Sequence, residues 1–440
     1  MLSAWFFPSF FYISLYMHHF LLSFLRFFAR CIIVRHKPYI IGITGSVGKT
    51  TLTTHIATYL RLLYGDAAVG YSPYHYNGEY GLPLTIIWAR TGGKNPFLWI
   101  AIFLKAFWRC LWPYPRYLVL EYGIDHPGEM EYLISIARPH IAILSRVAPN
   151  HLEQFGTFDR YREAKLLLIE SAYSQVIVQE SLRECISRKD AFFYGKEESS
   201  YAYITHTEQK ETGIQATIRV AKRSYPIVLP SFWDYQVENI LPLYILAEIL
   251  GWDTSIIASN APLFAPESGR SRILRGIEES IIIDGSYNGG FESICRGIDS
   301  VTPFVASHRI ICLLGDMREL GQQSGDIHRA LAQYIEEHLS HGRDIALYLV
   351  WPLMIEYVVP LLPEYMTCMS SLSSRKLGDQ IWDILCRDPK PTIIYVKWSQ
   401  NTIFLEEGIK KFLQNPQEKN LLCRQSEEWM RKKEEFFWKI

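Results

Sequence analysis

The sequence predicts an α/β protein. A P-loop central domain with a mostly parallel sheet is followed by a Rossmann-like C-terminal α/β domain, and an N-terminal hydrophobic helix precedes both. Three observations carry this prediction. Residues 42–51 (GITGSVGKTT) are a glycine-punctuated loop between an apolar run and an amphipathic stretch. Short apolar runs then alternate with helical periodicity, which is the rhythm of βαβ units and of parallel sheets. That rhythm restarts after a segment punctuated by Pro262, Pro266 and Gly269.

The first element is residues 4–25 (AWFFPSFFYISLYMHHFLLSFL), which hold no Asp, Glu, Lys or Arg. As a helix they reach about 33 Å, enough to span a bilayer. Arg26, Arg30, Arg35 and Lys37 follow at once, so the positive-inside rule expects the rest of the chain at the cytoplasmic face of the cell membrane. No basic region and no small-residue cleavage site marks a signal peptide. Pro8, His18 and His19 interrupt the stretch, and a helix lying in the interface is the alternative.

Residues 39–43 read as a strand and 52–63 as a helix, and the loop between them suits a nucleotide. Glycines let the backbone N–H groups of Gly45, Ser46, Val47 and Gly48 converge on a phosphate. Lys49 supplies charge for the outer phosphates, the Thr50 hydroxyl reaches magnesium, and Thr51 continues into the helix. Ile43 stands where the strict pattern has glycine. Residues 96–113 carry Phe97, Trp99, Phe103, Phe107, Trp108 and Trp112, with Lys105 and Arg109 four apart. Such a helix either lies on a membrane or covers a core with two snorkelling cations.

Apolar runs at 117–121 and 141–145 flank a helical stretch near 129–137, followed by a helix over 157–172, a strand at 175–179 and a β-alternating region at 200–229. Residues 235–250 read as a helix ended by Gly251, and 261–270 as a linker. Strands at 281–284, 309–314, 345–350 and 392–396, with helices near 291–301 and 323–338, make the second domain. The charged stretch 426–435 reads as a solvated helix. The expected division is a membrane segment with its basic flank at 1–36, an ATP-binding domain at 37–262, and a C-terminal domain with a charged tail at 263–440.

Forty-five basic residues balance forty-five acidic ones in the 440-residue chain, which removes any whole-chain case for nucleic-acid binding. Eight scattered cysteines with no C-x-x-C pair suggest neither a zinc site nor a disulfide framework. Ligands of open parallel sheets sit at the carboxyl edge of the strands. Glu121 and His151 fall there, a carboxylate suited to magnesium and an imidazole able to hold a second metal. A helix-start charge and a satisfied turn histidine are the plainer readings of the two.

Residues 77–85 (NGEYGLPLT), 121–129 (EYGIDHPGE), 149–156 (PNHLEQFG), 284–288 (DGSYN) and 315–321 (GDMRELG), taken in this order with the loop, resemble the Mur ligases. Within that family the resemblance is to the branch that adds D-alanyl-D-alanine, and it runs from about residue 39 to about residue 413. It implies an ATP-dependent amide ligase that activates a carboxylate of a muramoyl-peptide precursor as an acyl phosphate for attack by a small amine or dipeptide. It further implies magnesium, as two ions, at Thr50, Glu121, His151 and Lys165, with Lys165 carbamylated by CO2. Lys49, Lys165 and His151 would serve catalysis, and Asn239, Arg270, Asp284, Tyr287 and Asn288 would face the nucleotide. The family's amino-terminal uridine-nucleotide domain finds no room before the loop, so a partner supplying it, or a lipid-linked precursor, enters the expectation. At 397–401 the chain reads KWSQN where the family has Lys-Gly-Ser-Arg-Gly, which alters the acceptor half. A membrane-anchored Mur-like synthetase of another product, such as poly-γ-glutamate, and a non-enzymatic ATP-binding scaffold are the alternatives.

Overall fold

The computed structural model describes residues 7–440 except 73–75, 94, 149–151, 233–234, 288, 319, 340–343 and 399–402. The chain folds as two units. The first comprises Met1–His206, Thr217–Ile227 and Val237–Phe264, and the second Thr207–Ala216, Val228–Gln236 and Ala265–Ile440.

The first unit opens with helix α1 (Phe7–His36) and continues through strand β1 (Tyr39–Thr44), α2 (Lys49–Tyr64), β2 (Val69–Gly70), α3 (Gly81–Ile87), α4 (Pro96–Leu111) and β3 (Tyr117–Glu121). Next come α5 (Glu129–Ile136), β4 (Ile141–Leu144), the single turn α6 (Leu152–Phe155), α7 (Phe158–Ser171), β5 (Val176–Gln179) and β6 (Ala191–Gly195). Three consecutive strands follow, β7 (Ala202–Lys210), β8 (Gly213–Val220) and β9 (Arg223–Leu229), whose residues are divided between the two units, so the alternating region is a polar-faced β ribbon. The sheet order is β2-β3-β1-β4-β5-β6-β7-β8-β9, with parallel pairing from β2 through β7. The middle strands are buried on both faces, as uninterrupted Ile, Val and Leu runs demand. The helix expected over 235–250 is broken into α8 (Tyr235–Glu238) and α9 (Leu241–Leu250), before α10 (Ser255–Ser259). Pro242, in the first turn of α9, has no N–H to continue a helix from upstream.

The membrane span expected over residues 4–25, of which 4–6 lie outside the described residues, is not supported. No helix among the described residues is long and apolar enough to cross a membrane. From Leu22 onward α1 is a core helix, with Leu25, Ala29 and Ile32 fully buried in one cluster with Leu82, Ile86, Ile102 and Ala106. The apolar run is explained in that part by burial in protein.

The second unit is built on β10 (Arg272–Arg275), β11 (Ile281–Gly285), β12 (Arg309–Gly315), β13 (Ile345–Val350), β14 (Thr367–Ser371) and β15 (Thr392–Lys397), in the order β10-β11-β15-β12-β13-β14. Only β10 runs antiparallel. The helices α11 (Phe291–Val301), α12 (Ser324–Leu339), α13 (Ser374–Arg387) and α14 (Leu405–Ile409) accompany it. The tail is not simply a solvated helix. In α15 (Glu427–Phe437), Lys433 is fully buried, 2.9 Å from both Glu406 and Glu407 of α14. A buried charge pair of this kind pins the helix because neither member can be left alone.

Candidate active site

The loop between β1 and α2 uses conformations that glycine alone adopts freely. Gly45 has φ +143°, and a Cβ there would lie 1.9 Å from Ser145 Oγ. Gly48 has φ +88° where α2 begins, and its Cβ would meet Asn239 Oδ1 at 2.7 Å. The loop is laced to the segment after β4. The N–H groups of Ser46 and Val47 donate to the Arg146 carbonyl at 2.9 and 3.3 Å, and Ser145 Oγ donates to the Val47 carbonyl at 2.7 Å. Ser46 Oγ donates to the Ala148 carbonyl at 3.0 Å and lies 3.3 Å from the Tyr161 hydroxyl. Lys49 opens α2, its Nζ 3.5 Å from the Ser46 carbonyl, while Val47 is half exposed and Thr51 is buried against the body of the unit.

Sheet register sets the next residue. Parallel pairing puts Ile43 beside Glu121, so the carboxylate at the end of β3 stands at the mouth of the loop. It is 4% exposed. Thr50 Oγ1 donates to its two oxygens at 3.1 and 3.3 Å, and Asn77 Nδ2 donates to Oε1 at 3.1 Å. Lys165, 1% exposed on α7, lies with its Nζ 4.5 Å from the centre of the Tyr161 ring. Burial, then repulsion from Lys49, pushes its pKa down to about 7 against the pull of Asp125 and Glu121. The site therefore holds a phosphate-type loop, a fixed carboxylate and an amine that gives up its proton near neutrality.

Magnesium can be tested against these residues by their chemistry. Among the described residues no three His, Cys, Asp or Glu side chains cluster around one point. A hydroxyl and a carboxylate already in contact at the loop mouth are hard oxygen donors that fit magnesium, which takes its remaining ligands from phosphate and water. His151 and Asn288 lie outside the described residues.

Asn239 is buried against Gly48, within the first unit. Arg270, Asp284 and Tyr287 form a cluster in the second. The Arg270 guanidinium lies 4.7 Å from the Tyr287 ring centre, and Asp284 accepts from the N–H groups of Gly269 at 3.1 Å and Ser286 at 3.0 Å. Burial raises the Asp284 pKa. Lys397, also buried, is driven down to about 7 by burial and by Arg270, with Asp284 opposing.

Three residues had no role in the sequence reading. Asn77 belongs to a recognised segment, but only the fold brings it across 44 positions to Glu121. Tyr161 was legible as the residue one helical turn before Lys165 on the same buried face of α7. Lys397 had been read only as part of a divergent segment.

The Mur ligase middle domain model matches residues 109–247, beginning beyond the loop, so the loop rests on its own geometry. UDP-N-acetylmuramoyl-tripeptide--D-alanyl-D-alanine ligase of Haemophilus influenzae is 27% identical over 68% of this chain and 62% of its own length. That of Escherichia coli is 24% identical over 69% and 64%. The chain thus spans less than two thirds of the length of these curated relatives. Among solved structures, MurF ligase from Thermotoga maritima in complex with ADP superposes with a TM-score of 0.67 at 22% identity, over 89% of this chain and 83% of that one. A MurF from Acinetobacter baumannii gives 0.71 at 18%, over 88% and 79%. Residues 109–247 thus match the Mur ligase middle domain, and the chain shares the fold of the solved MurF ligases.

Proposed function

We propose that the chain is an ATP-dependent peptide ligase of cell-wall precursor synthesis, joining D-alanyl-D-alanine to a muramoyl-tripeptide at the cytoplasmic face of the membrane. The observation that supports this most is the convergence of Lys49, Thr50, Glu121 and Lys165 at the carboxyl edge of one parallel sheet. The relatives named for this reaction point the same way.

In this reading a carboxylate oxygen of the tripeptide attacks the γ-phosphorus of ATP, the bond to the bridging oxygen breaks, and ADP leaves. The amine of the dipeptide then attacks the acyl carbon, phosphate departs with the C–O pair, and the amine proton is released. Lys49 stabilises charge on the phosphates in transit. Thr50 and Glu121 would hold one magnesium ion, and His151 with Lys165 a second, screening the phosphates when bound. The neutral form of the Lys165 amine, favoured by its burial, would add to CO2 and lose a proton, leaving a metal-facing carbamate anion. Asn239 in the first unit and Arg270, Asp284, Tyr287 and Asn288 in the second are assigned to the nucleotide by the family resemblance. The boundary between the ATP-binding and C-terminal domains is placed in the linker near residue 263.

The test incubates the full chain with magnesium-ATP, bicarbonate, UDP-muramoyl-tripeptide and D-alanyl-D-alanine, and follows phosphate and product mass. A pentapeptide product that disappears in Lys49→Ala supports the reading. Phosphate without product redirects it to another carboxylate and amine, poly-γ-glutamate first. Neither signal from a folded, ATP-binding chain overturns the enzyme reading in favour of a scaffold.

A further inference from the structure

We propose that the outer face of α4, with the adjoining stripe of α1, is a docking surface for an anionic lipid bilayer. On α4, Trp99, Ile102 and Ala106 point into the core. Successive residues turn by about 100°, so the remaining arc spans more than half the helix. That arc carries Phe97, Ile100, Leu104, Phe107, Trp108 and Leu111, each between 52% and 77% exposed, and Trp112 continues it. A helix apolar on every side is stable only when every side is covered, and a patch of this kind marks an interaction site. Next to it, Phe24 of α1 packs on Phe103 of α4 with ring centres 3.8 Å apart and planes tilted by 38°, and α1 adds the exposed side chains Phe20, Phe27 and Val34.

Charge selects the occupant. Neither helix contains an acidic residue. The first 120 residues hold eleven Lys and Arg against only Asp66 and Glu79, in a chain whose formal charge is zero. The basic residues flank the apolar arc. Arg30 and Arg35 are exposed on α1, Lys105 donates to the Trp88 carbonyl at the edge of α4, and the Arg109 guanidinium lies 4.3 Å from the Trp88 ring centre. His36 Nε2 meets the Arg109 carbonyl at 3.0 Å, drawing the basic carboxyl ends of the two helices together. An apolar arc rich in Trp and Phe with a cationic border and no acid matches lipid acyl chains under anionic headgroups. A second copy of this chain would bring the same cations against one another.

The experiment measures cosedimentation of the full chain with vesicles of phosphatidylcholine alone, or with about one third phosphatidylglycerol. Binding should favour the anionic vesicles and weaken with salt. Phe107→Asp with Leu111→Asp should lower affinity at least ~10-fold with unchanged thermal unfolding. Should that pair unfold the protein, Phe97→Ser with Trp112→Ser, at the most exposed positions, replaces it and should weaken binding in the same direction. Folded variants that bind like the parent would overturn the proposal, placing the affinity elsewhere in the chain. So would a dimer seen by light scattering that the variants break while vesicles go unbound.

Discussion

Replacing Lys165 by methionine keeps the length of the side chain and removes its titrating amine. Moving that amine from 10.5 in water to about 7 in the fold corresponds to about 5 kcal/mol of cost to the folded state. Below about pH 7 folded and unfolded chains both hold the proton, and the folded state bears this cost in full. Between about 7 and 10.5 the unfolded chain still binds a proton that the folded chain has released, so this contribution makes stability rise with pH, and above 10.5 the cost is gone. Lys165→Met should therefore be more stable than the parent by up to about 5 kcal/mol near pH 6, with the gap closing as pH is raised toward 10. Chemical denaturation of both proteins in CO2-free buffer at several pH values reads the difference, in which Lys397 and every other titrating group cancel. Added bicarbonate at pH near 8 should stabilise the parent alone. A gap that does not change with pH, or that widens as pH rises, would refute the account of Lys165 as a proton-releasing buried amine.

Three further outcomes follow from the same geometry. Gly45→Ala forces a Cβ to 1.9 Å from Ser145 Oγ at φ +143°, and should weaken ATP binding by ~10-fold or more, read by calorimetric titration. Asn77→Ala removes a hydrogen bond to Glu121 but leaves Thr50, so the magnesium concentration needed for half-maximal phosphate release should rise about 3- to 10-fold while the rate at saturating magnesium changes less. Lys433→Met leaves the buried Glu406 with only Arg424, 3.7 Å away, while Glu407 keeps Lys410 and Arg375, and should destabilise the second unit by about 3–5 kcal/mol, seen as a lowered unfolding midpoint, whereas Lys432→Met on the exposed side should be near neutral.

Local chemistry was legible wherever it is carried by neighbours in the chain. The order of glycines from Gly45 to Gly48, followed by Lys49 and Thr50, specifies a tight loop opening a helix because the turn and the helix start are set within a few residues. The unbroken apolar runs of β1, β3 and β4 announce a buried parallel sheet, and the position of Glu121 at the end of one of them announces a residue at the sheet edge. The single long helix expected over 235–250 failed because Pro242 outweighs the surrounding apolar periodicity.

Tertiary structure decided what depends on burial and on distant partners. The hydrophobic N-terminal helix satisfies a membrane pattern and a core pattern equally well, since both ask only for apolar side chains, and the docking of Leu25, Ala29 and Ile32 decides for the core in that part. Lys165 reads from spacing as an exposed helix lysine. Its displacement toward neutrality exists only because the fold removes it from water and sets Lys49 nearby. Asn77 reaches Glu121, and Lys433 reaches α14, across stretches of chain whose separation no periodicity encodes. Sequence by itself determined which chemical groups the protein has and the local elements that carry them; the packing decided which of those groups lose water and meet, because desolvation and long-range contact are properties of the folded chain as a whole.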